Sequence, residues 1–173
     1  MTSTSVCVTR IMAVDPGMRY LGVAVLEVEE LIWYGIKTFP GLKLLPDVRA
    51  EVKQYLGRLV RDYRPHVLVI EQPFYAQSLL SQNLCKLTEE IKDWGRWKGL
   101  LIRSYEPTAP KAFFCRDCQT KQSLAEAMVE IYPFLQRYLT FLPWRRRYWM
   151  HVFDAVALGL MCQRKLARSA ISP

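Results

Sequence analysis

Three acids stand where acids are costly to keep. Asp15 closes the apolar run Ile11-Met12-Ala13-Val14, and Glu71 closes the run Val67-Leu68-Val69-Ile70. Asp154 lies in the apolar stretch from Trp149 to Leu160, with His151 three residues before it. A carboxylate at the end of a buried strand needs a compensating partner. Two of the acids have a plain reading by themselves: Asp15 caps its own turn, and Asp154 bonds His151, its neighbour on one helix face. Together they suggest more. Three carboxylates and an imidazole converging on one sheet edge would carry too much negative charge without cations. Two divalent ions would neutralise it and would serve in-line displacement at phosphorus. Carboxylate oxygens suit Mg²⁺ or Mn²⁺. One ion would activate the attacking water and the other would steady the leaving oxygen. His151 would act as a metal ligand or as a local base.

The elements that must hold these residues are legible from periodicity. Ile11 to Leu26 reads as strand, turn, strand. Asp15, Pro16 and the two glycines Gly17 and Gly22 are expected to let the backbone bend and leave room for a phosphate. Glu30 to Thr38 reads as a third strand of an antiparallel meander. Phe39-Pro40-Gly41 is a turn. Val48, Val52, Tyr55, Leu56, Leu59 and Val60 recur at helical spacing and predict a helix over Pro46 to Arg64, stopped by Pro65. His66 to Ile70 reads as a central buried strand. Gln72 to Ser81 reads as loop. A helix follows over Ser81 to Trp97, whose stripe Leu84, Leu87, Ile91 and Trp94 suits either the sheet or a second subunit. Leu100 to Ser104 is a strand, Glu106 to Pro110 a break, and Thr120 to Tyr132 a helix. Pro133 and Pro143 bound a loose aromatic stretch, and a last helix runs from about Arg147 to Lys165. This order predicts an α/β fold: a central mixed five-stranded sheet flanked by helices, as in the ribonuclease H-like fold.

The length of 173 residues fits one domain, with 1–9 and 169–173 as loose tails. The net charge of +8 suits an anionic partner, most simply nucleic acid. Arg145-Arg146-Arg147 fits phosphate contacts or a solvated cluster equally well. The first residues have neither the basic start nor the long apolar run of a signal peptide, and no stretch is apolar enough to span a bilayer. Five cysteines in such a chain predict reduced thiols in a cytoplasmic or organellar protein. Cys115 and Cys118 form a lone CxxC, too little by itself for a structural zinc site; free thiols are expected, with a redox pair or a site shared between chains as the alternatives.

On these motifs the chain resembles the RuvC family of Holliday-junction resolvases. Asp15-Pro16-Gly17, Arg19 and Gly22 match that family's first motif. Val69-Ile70-Glu71-Gln72-Pro73-Phe74 resembles the second. His151, Asp154, Ala155, Ala157 and Leu158 resemble the closing motif, whose first position is His in some members and Asp in others. Pro110-Lys111 and Thr120-Lys121-Gln122 with Met128-Val129 resemble the lysine-bearing segment. The resemblance implies a ribonuclease H-like fold and a metal site of Asp15, Glu71, His151 and Asp154. It implies Lys121 near the scissile phosphate and Lys111 close by on the DNA backbone. It implies that Phe74 stacks on a base near the crossover, as an exposed aromatic can. Arg19, Arg145 and Arg146 join Phe74 and Lys111 as DNA-binding candidates. Three features depart from the family: 112–120 lacks the usual glycines, Pro73 stiffens the loop bearing Phe74, and the helix from Ser81 matches poorly.

The resemblance further implies a homodimer that cuts two opposed strands of a four-way junction, with a branch-migration motor as a possible partner. Other readings are a YqgF-type nuclease acting on RNA, a non-catalytic junction-binding module, and an actin-like ATPase. The YqgF group lacks the Glu-Gln-x-Phe motif. The acidic set argues against a non-catalytic role, and an actin-like ATPase needs a second phosphate hairpin and a longer chain.

Overall fold

The computed structural model describes residues 9–41, 45–74, 76–115, 120–141 and 143–171. Cys118 of the CxxC lies outside these residues, as do 1–8 and 172–173 of the expected tails. The strands are β1 (Arg10–Asp15), β2 (Tyr20–Glu27), β3 (Glu30–Thr38), β4 (Val67–Glu71) and β5 (Leu101–Tyr105). The helices are α1 (Leu45–Tyr63), α2 (Leu79–Trp97), α3 (Ala109–Phe114), α4 (Lys121–Ile131), α5 (Gln136–Leu139) and α6 (Pro143–Ile171). A 3₁₀ turn, Pro133–Leu135, precedes α5.

The five strands form one mixed sheet in the order β3-β2-β1-β4-β5. β1 pairs antiparallel with β2, and β2 with β3, as a meander of short connections requires. β1 pairs parallel with β4, and β4 with β5, through the crossover helices α1 and α2. β1 is therefore central and apolar on both faces.

Strand alternation divides the core in two. Met12 and Val14 of β1, with Leu68 and Ile70 of β4, pack under Val48, Val52 and Leu56 of α1 and Leu87 and Ile91 of α2. Ile11 and Ala13, with Val67 and Val69, pack under Leu124 and Met128 of α4 and Val152, Phe153 and Val156 of α6. The α2 stripe thus has Leu87 and Ile91 buried on the chain's own sheet, with Trp94 against the same core.

Besides shifts of one residue at element ends, as at α1 and β5, the structure differs from the sequence expectations in four places. α2 begins at Leu79 because Ser78 caps it, its side chain accepting from the Ser81 amide. Pro110 lies inside the first turn of the short helix α3 rather than in a plain break, a position where its missing N–H costs nothing. α6 starts at Pro143, so the Arg145–Arg147 run is helical, and it continues to Ile171. The stretch after Pro133 is not loose: Tyr138 stacks on Trp149 of α6 with ring centroids 4.0 Å apart, and Phe141 packs edge-on to Tyr138. No helix among the described residues is long and apolar enough to cross a membrane.

Candidate active site

The same alternation that builds the core aims the acids. Asp15 follows Ile11 and Ala13 at odd positions of β1, and Glu71 follows Val67 and Val69 on β4. Both therefore fall on the α6 face of the sheet. Because β1 and β4 run parallel and are in register from Ile11↔Val67 to Val14↔Ile70, the two acids leave the sheet side by side at one edge. α6 crosses above and brings Asp154 into the same space. Asp15 and Asp154 are each only 4% exposed.

α6 reaches this depth because glycines lie where it meets the sheet, Gly22 on β2 and Gly159 on α6 itself. A Cβ on Gly22, the residue paired with Asp15, would overlap the backbone carbonyl of His151. A Cβ on Gly159 would meet Leu26 and Ala13. On the Cβ side of these motif glycines the close approach is made by the chain itself: by α6 at Gly22 and by the Tyr20 carbonyl at Gly17.

The pairing within the site differs from the plain sequence reading. His151 Nδ1 stands 2.5 Å from Asp15 Oδ2, not on Asp154. Asp154 Oδ2 instead accepts from Lys121 Nζ at 2.5 Å. Lys121 is the first residue of α4, fixed by a capping box between Thr120 and Ser123. Tyr20 lies beside the His151 ring at 5.8 Å and stacks on Tyr148 at the same distance. The sequence reading did not single out either tyrosine. The only hint was an aromatic inside the Arg19-x-x-Gly22 motif.

Burial and the mutual repulsion of the acids both act against having all three ionised at once. Burial, then the charges of Asp15 and Asp154, push the Glu71 carboxyl up to about 8, against smaller lowering effects from Lys121 and Lys111. Burial and the Asp15 charge also raise Asp154, although Lys121 and His151 act against them. Lys121 responds in the opposite sense. Burial works to lower it, but the charge and hydrogen bond of Asp154, with Asp15 and Glu71, leave it raised. Three oxygen-donor side chains and an imidazole fit a hard divalent cation in chemistry and charge. The side chains are drawn into pairs with His151 and Lys121, and among the described residues no three donors are gathered as a ready-made cage.

The remaining candidates are distributed around this edge. Lys111, on α3, is close enough for its charge to act on Glu71. Phe74 is 59% exposed on the loop after β4. Arg19 lines a cavity of about 250 Å³ with Gly17, Met18, Tyr20, Leu80, Leu84 and His151. Arg145 and Arg146 sit in the first turns of α6, upstream of His151 on the same helix.

No protein-family model matches the chain. Over 109 residues it is 28% identical to the crossover junction endodeoxyribonuclease RuvC of Akkermansia muciniphila, a match covering 59% of this chain and 64% of that relative, just under two thirds of its length. The fold is similar to RuvC of Thermus thermophilus in complex with Holliday junction substrate, with a TM-score of 0.71 and 16% identity over 95% of this chain and 97% of that one. A second Thermus thermophilus RuvC structure gives the same TM-score at 20% identity, over 94% and 97% of the two chains. The yeast mitochondrial Holliday junction resolvase Ydc2 superposes with a TM-score of 0.64 at 12% identity, over 94% of this chain and 83% of that one. The resemblance carried by four sequence motifs therefore extends to the whole architecture: the chain is similar to RuvC in sequence and has the ribonuclease H-like fold of the RuvC resolvases.

Proposed function

We propose that this protein is a RuvC-type endonuclease that resolves four-way DNA junctions by metal-dependent phosphodiester hydrolysis, as a homodimer making paired symmetric nicks. The observation that carries this reading is the convergence of Asp15, Glu71 and Asp154 on one sheet edge, with Lys121 and His151 paired to them. The names of the relatives support the substrate: one is a crossover junction endodeoxyribonuclease and another is held in complex with a Holliday junction. The surplus of +8 supports a polyanion.

A cation would relieve the burial and mutual repulsion that raise Glu71 and Asp154. Asp15, Glu71, His151 and Asp154 would hold divalent Mg²⁺ or Mn²⁺, two ions per site, which supply an activated water and charge stabilisation at phosphorus. The chain's own part is positional. Asp15 and Glu71 are fixed by paired parallel strands, and Asp154 by a buried helix, so the acids lose little freedom on binding. Lys121 brings a cation to the same edge, where it is suited to the charge that develops on a phosphate oxygen. Lys111, Arg19, Arg145 and Arg146 are suited to backbone phosphates flanking the cut. Phe74 is suited to stacking against a base at the crossover. Two such sites related by a two-fold axis would match a two-fold junction. A branch-migration motor is a further candidate partner.

The test compares a synthetic four-way junction with duplex, single-stranded DNA and RNA, with Mg²⁺ or Mn²⁺ present. The expected result is symmetric nicking of the junction alone. Preferential cutting of RNA would replace this reading with an RNA-directed nuclease. Binding of the junction without any cutting would reduce the protein to a binding module.

A further inference from the structure

The alternation that points Glu71 at α6 points the next residue the other way. Gln72 continues the series Leu68, Ile70 on the α2 face. There its side-chain oxygen accepts from the ammonium of Lys92 and from Ser104 Oγ at 3.3 Å. Its backbone N–H donates to the Tyr105 carbonyl at 2.8 Å, extending the β4–β5 ladder by one bond. Lys92 is only 8% exposed, and its other partner is Glu89 at 2.9 Å. A lysine this deep is uncommon and needs a compensating acceptor. Gln72 supplies one of the two. The chain leaving β4 is therefore gripped immediately after Glu71 and two residues before the exposed Phe74. The return of the same loop is gripped as well: Ser81 Oγ donates to the Phe74 carbonyl at 3.1 Å and accepts from the Ala76 amide at 2.9 Å.

We propose that Lys92 is a positioning residue that, through Gln72, sets the direction in which Phe74 projects toward the junction. The inference rests on the nuclease reading above and adds to it a residue on the opposite face of the sheet from the acids. Lys92 belongs to α2, on the other side of the sheet from Asp15, Glu71 and Asp154. It acts because a loop bearing a stacking residue must be held at a fixed angle, and a displacement of about 1 Å can cost about 100-fold in rate. The Ser81 bonds hold the far side of this loop, and the Lys92–Gln72 contact holds the side that leaves β4.

The test uses the full chain and two substitutions that remove the same bond from opposite ends, Lys92→Met and Gln72→Met. Each is made in the wild-type and Phe74→Ala backgrounds. Single-turnover nicking at saturating junction is measured beside junction affinity. Without divalent cation, the fluorescence of 2-aminopurine next to the crossover reports stacking independently of cutting. Lys92→Met should slow nicking about tenfold and shift the fluorescence toward that of Phe74→Ala, with affinity changed less than about twofold. In the Phe74→Ala background it should add nothing. Equal slowing in both backgrounds, or unchanged fluorescence, would overturn the proposal. If Lys92→Met does not fold, Gln72→Met alone decides by the same criteria. A wild-type protein that binds but never nicks would count against the nuclease reading, whereas the fluorescence arm would still judge the clamp.

Discussion

His151 Nδ1 and Asp15 Oδ2 stand 2.5 Å apart, joining the first turn-bearing strand to a helix that follows it by more than a hundred residues. The contact makes Asp15 the meeting point of the sheet and α6. It also leaves Asp154 for Lys121, so each buried aspartate has its own cationic or protonatable partner.

Asp15→Asn should abolish junction cutting and leave junction binding largely intact. The amide keeps the size of the carboxylate and loses the charge that holds a cation. A fall in nicking rate of about 100-fold or more is expected in a time course on labelled junctions. Normal cutting by Asp15→Asn would remove the acidic cluster from the mechanism.

The metal-free protein should lose stability as pH rises. Glu71 has its folded value lifted from 4.5 to about 8, so the folded state holds a proton that the unfolded state has released. Stability is therefore full below the unfolded value and declines between about 4.5 and about 8. Asp154 is shifted in the same direction. Thermal melts in chelator across this range should show a falling Tm. Added Mg²⁺ should raise Tm more at the alkaline end, where the carboxylates are free to bind it.

Lys121→Gln should slow cutting more than it weakens binding. Its stability effect in chelator should be below about 1 kcal/mol, because the side chain is 55% exposed even though its partner Asp154 is buried. Parallel nicking and melting curves measure both. A large loss of junction affinity with an unchanged rate would reassign Lys121 to phosphate binding alone.

Gly22→Ala should destabilise the protein. The new methyl meets the His151 backbone carbonyl and forces α6 off β2, an overpacking cost of about 1–3 kcal/mol. Chemical denaturation measures this directly. The same shift should separate His151 from Asp15, so cutting should fall even at temperatures where the variant is folded.

Phe74→Ala should slow cutting more than it weakens junction binding, with little change in stability, since Phe74 is 59% exposed. Binding of the wild type should weaken steeply with salt, by a log–log slope of about −0.9 for each phosphate contacted. An unchanged cutting rate would remove Phe74 from the junction-facing surface.

The sequence by itself determined the order of the five strands and the four long helices, though not the short helices α3 and α5, because periodicity is local and the apolar runs of β1, β2 and β4 are strong. It also marked Asp15, Glu71 and Asp154, because a charged residue ending or interrupting an apolar run stands out without a structure. It misread the stretch between Pro133 and Pro143, where order comes from Tyr138 stacking on Trp149 rather than from local propensity. It could not say which partner each aspartate would meet. His151 and Asp154 lie one helical turn apart, and only the depth of α6 over Gly22 turns His151 onto Asp15 and leaves Asp154 to Lys121. Nor could it reveal that Gln72 and Lys92 meet behind the site, since that contact depends on α2 packing over β4. Residue type and strand parity are written in the chain, but partners distant in sequence are decided by packing, where one missing Cβ sets how closely a helix and a sheet approach.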